Sequence, residues 1–378
     1  MSLRVTGFNP SGLGTIAAAQ NLRKWRNALA KVRSGTGRGK ILFFGDSTTA
    51  GSGAGSSGNV NMVGAWSKSF PNQIAKLLAA AGIPTSSNSY LSNQNAAGTG
   101  VAYNSYDPRL VEGAGWADGT GFFIAGGTTF VSTGSAALAF TPTSQVDTAD
   151  VYWYNNNNSG TATVNVNGGA TLATLTATGT QTVTKTTVTA TKASNTINIV
   201  GGGATQFYVM GVMAYDSTTP AIDFIQAGNY GSTISTWTSN SAIPPGPSFS
   251  GATGLLAKLA PDLVVVDLTV NDSSAGTAVS TYTTNLATLV QAIQANGADV
   301  LLVSGTPANI SATGIASIVG AVSSYANSNN IVFLDVNARW VNYTTGNALG
   351  WFYTDGIHPN AIGYQDVAQM VATFLATI

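Results

Sequence analysis

His358 is the only histidine among 378 residues, and Asp355 stands three positions before it in Tyr353-Thr-Asp-Gly-Ile-His-Pro-Asn360. Ser47 closes Phe44-Gly-Asp-Ser47, at the end of a strongly apolar run. A serine, an aspartate and a histidine are the minimum set for nucleophilic acyl transfer: the hydroxyl attacks, the imidazole takes its proton, and the carboxylate holds the imidazole. An aspartate three residues ahead of a histidine on one loop can fold back to accept from Nδ1–H, leaving Nε2 for the serine proton. With no second imidazole, histidine-dependent chemistry must pass through His358. Taken singly, each residue has an ordinary alternative. Ser47 could open a helix; Asn271-Asp272 and Asp355-Gly356 could be turns or caps. Asp46 and Asp272 read as loop-holding hydrogen-bonding groups.

The elements around these residues must bring distant positions together. Residues 12–33 have helical spacing of Leu22, Trp25, Leu29 and Val32, ended by the glycines of 35–39. Lys40-Ile-Leu-Phe-Phe44 reads as a buried parallel strand. A helix is expected over 64–82, with Trp66, Phe70, Ile74, Leu77 and Leu78 on one face. Further strands are expected at Ala221–Gln226, Asp262–Leu268, Val300–Val303 and Ile331–Leu334. Leu286, Leu289 and Ile293 mark an intervening helix, and a last helix spans 361–377. Strand, loop and helix in alternation predict an α/β domain. In an open parallel sheet, ligands bind beyond the carboxyl ends of the strands. Ser47 and Asn271 each lie just past such an end, and Gly228-Asn-Tyr-Gly231 follows another. The turn into the helix can offer the Ser47 N–H to an oxyanion, and the glycine-rich loop offers a second backbone donor.

From about 98 to 216 the α/β rhythm stops. Asp150–Tyr154, Thr161–Asn167, Thr182–Ala190 and Thr196–Val200 read as strands, separated by turn signals at 156–160, 167–169 and 201–203. This predicts an all-β sandwich inserted into the α/β domain. Tyr152, Trp153 and Tyr154 alternate across one strand. Core packing is expected for Trp153, and an exposed aromatic there could be a sugar platform.

Composition narrows the function classes. Charged residues are 8%, with 15 basic and 15 acidic groups, so no basic surface points to nucleic acid. Cysteine is absent, which removes disulfides and thiol chemistry. One histidine argues against a zinc site, and neither a metal nor a cofactor is expected. Gly53-Ala-Gly55-Ser-Ser-Gly58 matches a dinucleotide fingerprint formally, but no helix follows at once and no acid stands near twenty residues on. No membrane span and no signal-peptide pattern are read; a surface of Ser, Thr, Asn and 44 glycines suits a secreted or cell-surface protein.

The blocks together resemble the SGNH hydrolases, the GDSL group of esterases. Gly45-Asp-Ser47 matches the first block, Gly228-Asn-Tyr-Gly231 the second, Thr269-Val-Asn-Asp272 the third, and Asp355-Gly-Ile-His-Pro-Asn360 the fifth. Thr269 replaces the third block's usual glycine. The resemblance implies Ser47 as nucleophile, Asp355 and His358 as the base system, and an oxyanion hole from Ser47 N–H, Gly231 N–H and the Asn271 side chain. It implies a three-layer, flavodoxin-like α/β fold. The β segment resembles galactose-binding-like jelly-roll modules. The expected division is 1–97 and 217–378 for the hydrolase domain and 98–216 for the insertion. The expected activity is hydrolysis of acyl esters, acetyl foremost, on a carbohydrate polymer. The alternatives are a short-chain aryl or lipid esterase, a sugar acyltransferase, or a glycan-binding surface protein with an inactive hydrolase domain.

Overall fold

The computed structural model describes residues 20–91, 101–119, 129–156, 160–238 and 254–378. The part of the first expected helix before residue 20, the expected boundary at 98 and positions 157–159 of one expected turn lie outside them.

Six parallel strands form one sheet in the spatial order Val332–Leu334, Asp299–Val303, Leu263–Asp267, Gly39–Gly45, Ile222–Gly228, Thr85–Ser86. Set aside the two-residue edge strand Thr85–Ser86, and the others, numbered along the chain, run 2-1-3-4-5, the flavodoxin-like order. The order reverses between Gly39–Gly45 and Leu263–Asp267, which is where Ser47 and Asn271 emerge.

Both faces of the sheet are covered, so its strands are continuously apolar. Ile41 and Phe43 point to one side, into a cluster with Trp25, Leu29, Ile74 and Val371. Leu42 and Phe44 point to the other, with Trp237, Leu286, Ile293 and Ile318. The helices Arg23–Arg33, Phe70–Ala80 and Ala361–Thr377 supply the first layer, and Val279–Ala295 and Ala312–Ser328 the second.

The helix expected over 64–82 is instead two pieces. A 3-10 turn covers Ala65–Lys68, Ser69 is extended, and the α-helix runs Phe70–Ala80. Pro71 sits in its first turn, where a missing N–H costs nothing, and it could not have continued a helix from upstream.

The remaining strands pair antiparallel in two sheets. One runs Ala173–Thr176, Thr161–Val166, Ile197–Gly201, Ala137–Phe140, Leu110–Glu112; the other runs Thr182–Ala193, Val146–Asn155, Phe207–Tyr215, Thr129–Ser132, Trp116–Gly119. Ser89–Leu91 pairs beside Phe207–Tyr215. The two sheets share one interior, where Val164, Ile199 and Phe140 meet Val151, Trp153 and Val209. The second sheet has no solvent face over its middle. Tyr152, Tyr154, Tyr208 and Met210 belong to the same apolar cluster as Leu42 and Phe44 of the parallel sheet. All three aromatics of the Tyr152–Tyr154 run are therefore buried, and none can serve as a sugar platform. Trp153 packs on Phe207 with ring centroids 5.3 Å apart, and its Nε1–H donates to Thr186 Oγ1 at 3.0 Å.

Candidate active site

Ser47 is the first residue of a short helix, Ser47–Ala50, that turns sharply off the Gly39–Gly45 strand. Asp46 caps it: its Oδ1 accepts from Thr48 N–H at 2.8 Å and Thr48 Oγ1 at 2.7 Å. The cap fixes where Ser47 Oγ points. That oxygen lies 2.8 Å from His358 Nε2. His358 Nδ1 lies 2.7 Å from Asp355 Oδ2, while Asp355 Oδ1 accepts from the N–H groups of Ile357 at 2.9 Å and His358 at 3.0 Å. Both oxygens of the carboxylate thus serve the loop that carries the imidazole. Partial burial would raise the Asp355 carboxyl, but hydrogen bonds from the His358 ring and backbone hold it below the ordinary carboxylate range. It stays ionised and can orient an imidazole that takes up a proton at Nε2.

The histidine loop is held from several sides. Tyr353 N–H donates to His358 O at 2.8 Å, and Asn309 N–H to Gly356 O at 2.8 Å. Asn360 caps the last helix by accepting from Ile362 and Gly363 N–H, while its amide donates to Gly350 O. Tyr364 Oη, on that helix, donates to Ser52 O at 2.7 Å and ties it to the turn after Ser47. Gly53 explains the fingerprint-like glycines. Its φ is +90°, and a Cβ there would lie 2.5 Å from Pro359 O and 3.0 Å from His358 Cβ. The histidine loop packs directly on that backbone. The ring of Tyr230 stacks near the imidazole, with centroids 6.3 Å apart and planes 23° off parallel.

Asn271 lies in the Val270–Ala275 helix, just past the Leu263–Asp267 strand. Its Nδ2 donates to Ser232 O at 3.0 Å and to Asp46 Oδ2 at 3.2 Å. These bonds place the Gly231–Ser232 segment and the cap of the Ser47 helix on either side of one amide. Gly231 itself has φ +78°. Asp272 Oδ2 accepts from Ile234 N–H at 2.7 Å, so adjacent residues of one helix hold both ends of this loop. Ser47 N–H, Gly231 N–H and the Asn271 amide therefore stand on two helix starts and the loop between them, at the same edge of the sheet. As first residue of its helix, Ser47 has an N–H without an intrahelical acceptor.

One residue had no place in the sequence reading. Asp267 ends the apolar run Leu263-Val-Val-Val-Asp267 and is buried. Its Oδ2 lies 2.9 Å from Thr48 Oγ1 and 3.2 Å from Thr49 Oγ1, so it stands directly behind the Ser47 helix. The signal was available: a lone acid closing a strand buried on both faces needs partners. Burial raises both Asp267 and Asp46, and their proximity raises Asp46 further. Among the described residues, no group of three or more His, Cys, Asp or Glu is arranged to hold a metal ion, and no helix is long and apolar enough to cross a membrane.

The GDSL-like lipase/acylhydrolase family matches residues 219–365, a stretch that contains Gly231, Asn271, Asp355 and His358 and begins after Ser47. No curated protein sequence matches the chain. Among solved structures, a peptidoglycan O-acetylesterase aligns with TM-score 0.65 at 18% identity, covering 93% of this chain and 95% of that one. A family two carbohydrate esterase from Clostridium thermocellum, in complex with cellohexaose, aligns with TM-score 0.32 at 14% identity over 68% of this chain and 97% of its own. A lipase/acylhydrolase from Enterococcus faecalis aligns with TM-score 0.33 at 22% identity over 42% of this chain and 76% of its own. At these identities the first likeness is one of fold, and it runs through both the parallel-sheet and the antiparallel parts.

Proposed function

We propose that this chain, whose residues 219–365 match the GDSL-like lipase/acylhydrolase family, is a serine esterase that removes small acyl groups, acetyl foremost, from a carbohydrate polymer. The observation that carries this reading is the unbroken run Ser47 Oγ, His358 Nε2, His358 Nδ1, Asp355 Oδ2, with separations of 2.8 and 2.7 Å.

In this mechanism Ser47 Oγ attacks the ester carbonyl as His358 Nε2 takes its proton. The carbonyl oxygen becomes an oxyanion and accepts from Ser47 N–H, Gly231 N–H and Asn271 Nδ2–H, an effect worth about 3 kcal/mol per donor. Collapse expels the sugar hydroxyl, which leaves with the proton from His358, and an acyl-serine remains. Water then attacks, gives its proton to His358, and the second intermediate releases acetate and restores Ser47. Both Nδ2 hydrogens of Asn271 are engaged in the free protein. The longer bond, 3.2 Å to Asp46, is the one an oxyanion would compete with.

The carbohydrate substrate rests on two supports. The fold shared with a peptidoglycan O-acetylesterase extends over the antiparallel sheets as well as the hydrolase part. A chain with only 8% charged residues suits work beside neutral glycan outside the cell. The test is acetate release from a panel of acetylated glycans, O-acetylated peptidoglycan among them, with Ser47→Ala as the blank. Release well above the blank is expected from at least one glycan. Release equal to the blank across the panel would sink the assignment.

A further inference from the structure

Behind the Ser47 helix, two buried carboxyls face the same hydroxyl. Thr48 Oγ1 lies 2.7 Å from Asp46 Oδ1 and 2.9 Å from Asp267 Oδ2. A threonine hydroxyl carries one hydrogen. It can donate to one of these oxygens, and its lone pairs then face the other at hydrogen-bonding distance. If both acids were ionised, one contact would set lone pair against lone pair in a site without water-like screening. The contact is favourable on both sides only if one acid is protonated and donates to Thr48, which passes its own hydrogen to the other.

The neighbours point the same way. Asp46 accepts from Thr48 N–H, Thr48 Oγ1 and Asn271 Nδ2, a donor set that suits an anion. Asp267 has hydroxyls on Oδ2 alone, and its buried Oδ1 meets no donor. A bare oxygen is tolerable on a neutral acid and costly on a carboxylate. The titratable groups packed around the pair are Asp272, Tyr282, Tyr364 and, in front of Ser47, His358. Tyr282 Oη donates to Leu268 O and Tyr364 Oη to Ser52 O, so neither serves the acids. Among the described residues, no lysine or arginine forms an ion pair with either carboxyl.

We propose that Asp46 and Asp267 hold one proton between them through the Thr48 hydroxyl, and that this shared proton positions the nucleophile helix and the Asn271 amide. Asp267 Oδ2–H donates to Thr48 Oγ1, and Thr48 Oγ1–H donates to Asp46 Oδ1. Asp46 keeps a single negative charge with which to cap Ser47–Ala50 and hold Asn271. Loss of the proton turns Thr48 away from one acid and places a second negative charge beside the developing oxyanion. Both acids are positioning residues; neither touches substrate. Burial raises both acids, and the neighbouring charge raises Asp46 the more; the proton therefore belongs to the pair and titrates as such, and the three donors on Asp46 against the bare Oδ1 of Asp267 place it on Asp267.

The functional half rests on the esterase reading; the proton itself does not. Infrared difference spectra of the whole protein are to be recorded from pH 5 to 10 for the wild type, Asp267→Asn and Thr48→Val. A protonated-carboxyl band is expected in the wild type at neutral pH and absent in Asp267→Asn, whose amide can donate to Thr48 permanently. In the rate profile on an acetyl ester, kcat of the wild type should fall about tenfold per pH unit above the midpoint at which the band disappears. Asp267→Asn should keep neutral-pH kcat within about threefold and lose that alkaline limb. Thr48→Val leaves both acids without their relay and should move the limb by about one pH unit or more. An identical band in Asp267→Asn, or an alkaline limb unmoved in both variants, overturns the shared proton. Should no variant and no ester show turnover, the infrared result still decides the proton, and the esterase reading alone fails.

Discussion

Ser47 gains its direction from a cap and its hydrogen-bond partner from a loop more than 300 residues away. Its side chain makes one bond that matters, 2.8 Å to His358, and the residue is buried. Ser47→Ala should therefore lower acetyl-ester turnover by on the order of 10⁴ or more while the melting temperature stays within a degree or two. Retained turnover would remove Ser47 as nucleophile. Asn271→Ala differs in kind. It removes one proposed oxyanion donor, for an expected fall in kcat of about 10²–10³. It also removes the Asn271 donor from Asp46 Oδ2 and from Ser232 O, at a cost of about 1–3 kcal/mol in stability, so kcat and melting should both move. Activity should fall on acidification, because a protonated imidazole cannot take the serine proton. Asp355 sets the order of events. Its folded pKa lies below the ordinary value, so its stabilising charge is complete above the unfolded value and is lost only as pH falls through the lower folded one. The rate should thus drop before the loop loosens. A pH–rate profile beside a pH–melting series separates the two, and loss of structure ahead of rate would contradict the assignment. At this scale the sequence was informative because the proposed chemistry uses rare residues. The single His358, with Asp355 beside it, could be picked out unaided. Asp267 carried a weaker signal: it asks for partners only if its strand is buried on both faces, and an acid at a strand's last position otherwise looks the same as the first residue of a loop.

The elements matter through how closely they approach. The Ser47–Ala50 helix rests on the end of the Ile222–Gly228 strand, and a Cβ at Gly228 would lie 2.3 Å from Ala50 N and 2.7 Å from Thr49 C. Those are backbone atoms and cannot rotate away. Gly228→Ala should push the helix outward, and a displacement near 1 Å can cost about 10² in rate. The loss should fall on kcat more than KM, and unchanged kinetics would show that the helix can shift without disturbing Ser47. The buried parallel strands were readable as short apolar runs, and the last helix, Ala361–Thr377, has the bounds its sequence pattern gives. The Phe70–Ala80 helix was misread at its start, since Trp66 falls in helical register although Pro71 forces a new first turn. Phe207–Tyr215 was harder still. It is buried at eight of nine positions because apolar clusters cover both its faces, and that erases the alternation by which an antiparallel strand is usually found.

At the scale of the molecule, one cation joins the parts. Arg109 pairs with Asp107 and donates to the carbonyls of Ser87 and Ser89. Its guanidinium lies 3.4 Å from the ring centroid of Trp66 and 5.0 Å from that of Phe140. Trp66 belongs to the turn before the Phe70–Ala80 helix, and Phe140 to an antiparallel strand. Arg109→Met should cost about 3–5 kcal/mol, because Asp107 stays buried without its partner. A single, lowered melting transition is expected; two separate transitions would show that the parts unfold independently. Composition could suggest a β-rich insertion but not how it sits, since a tyrosine reads alike in a core and on a surface.

Tyr152, Tyr154 and Tyr208 close one side of the hydrolase core. The antiparallel part is therefore no pendant on a tether, free to scan a polymer while the esterase waits. On the proposed function, a glycan bound against it would meet Ser47 at one fixed offset. Excising it for engineering would uncover Leu42's apolar neighbourhood and leave an aggregating stump, so a graft in its place must bring its own greasy face.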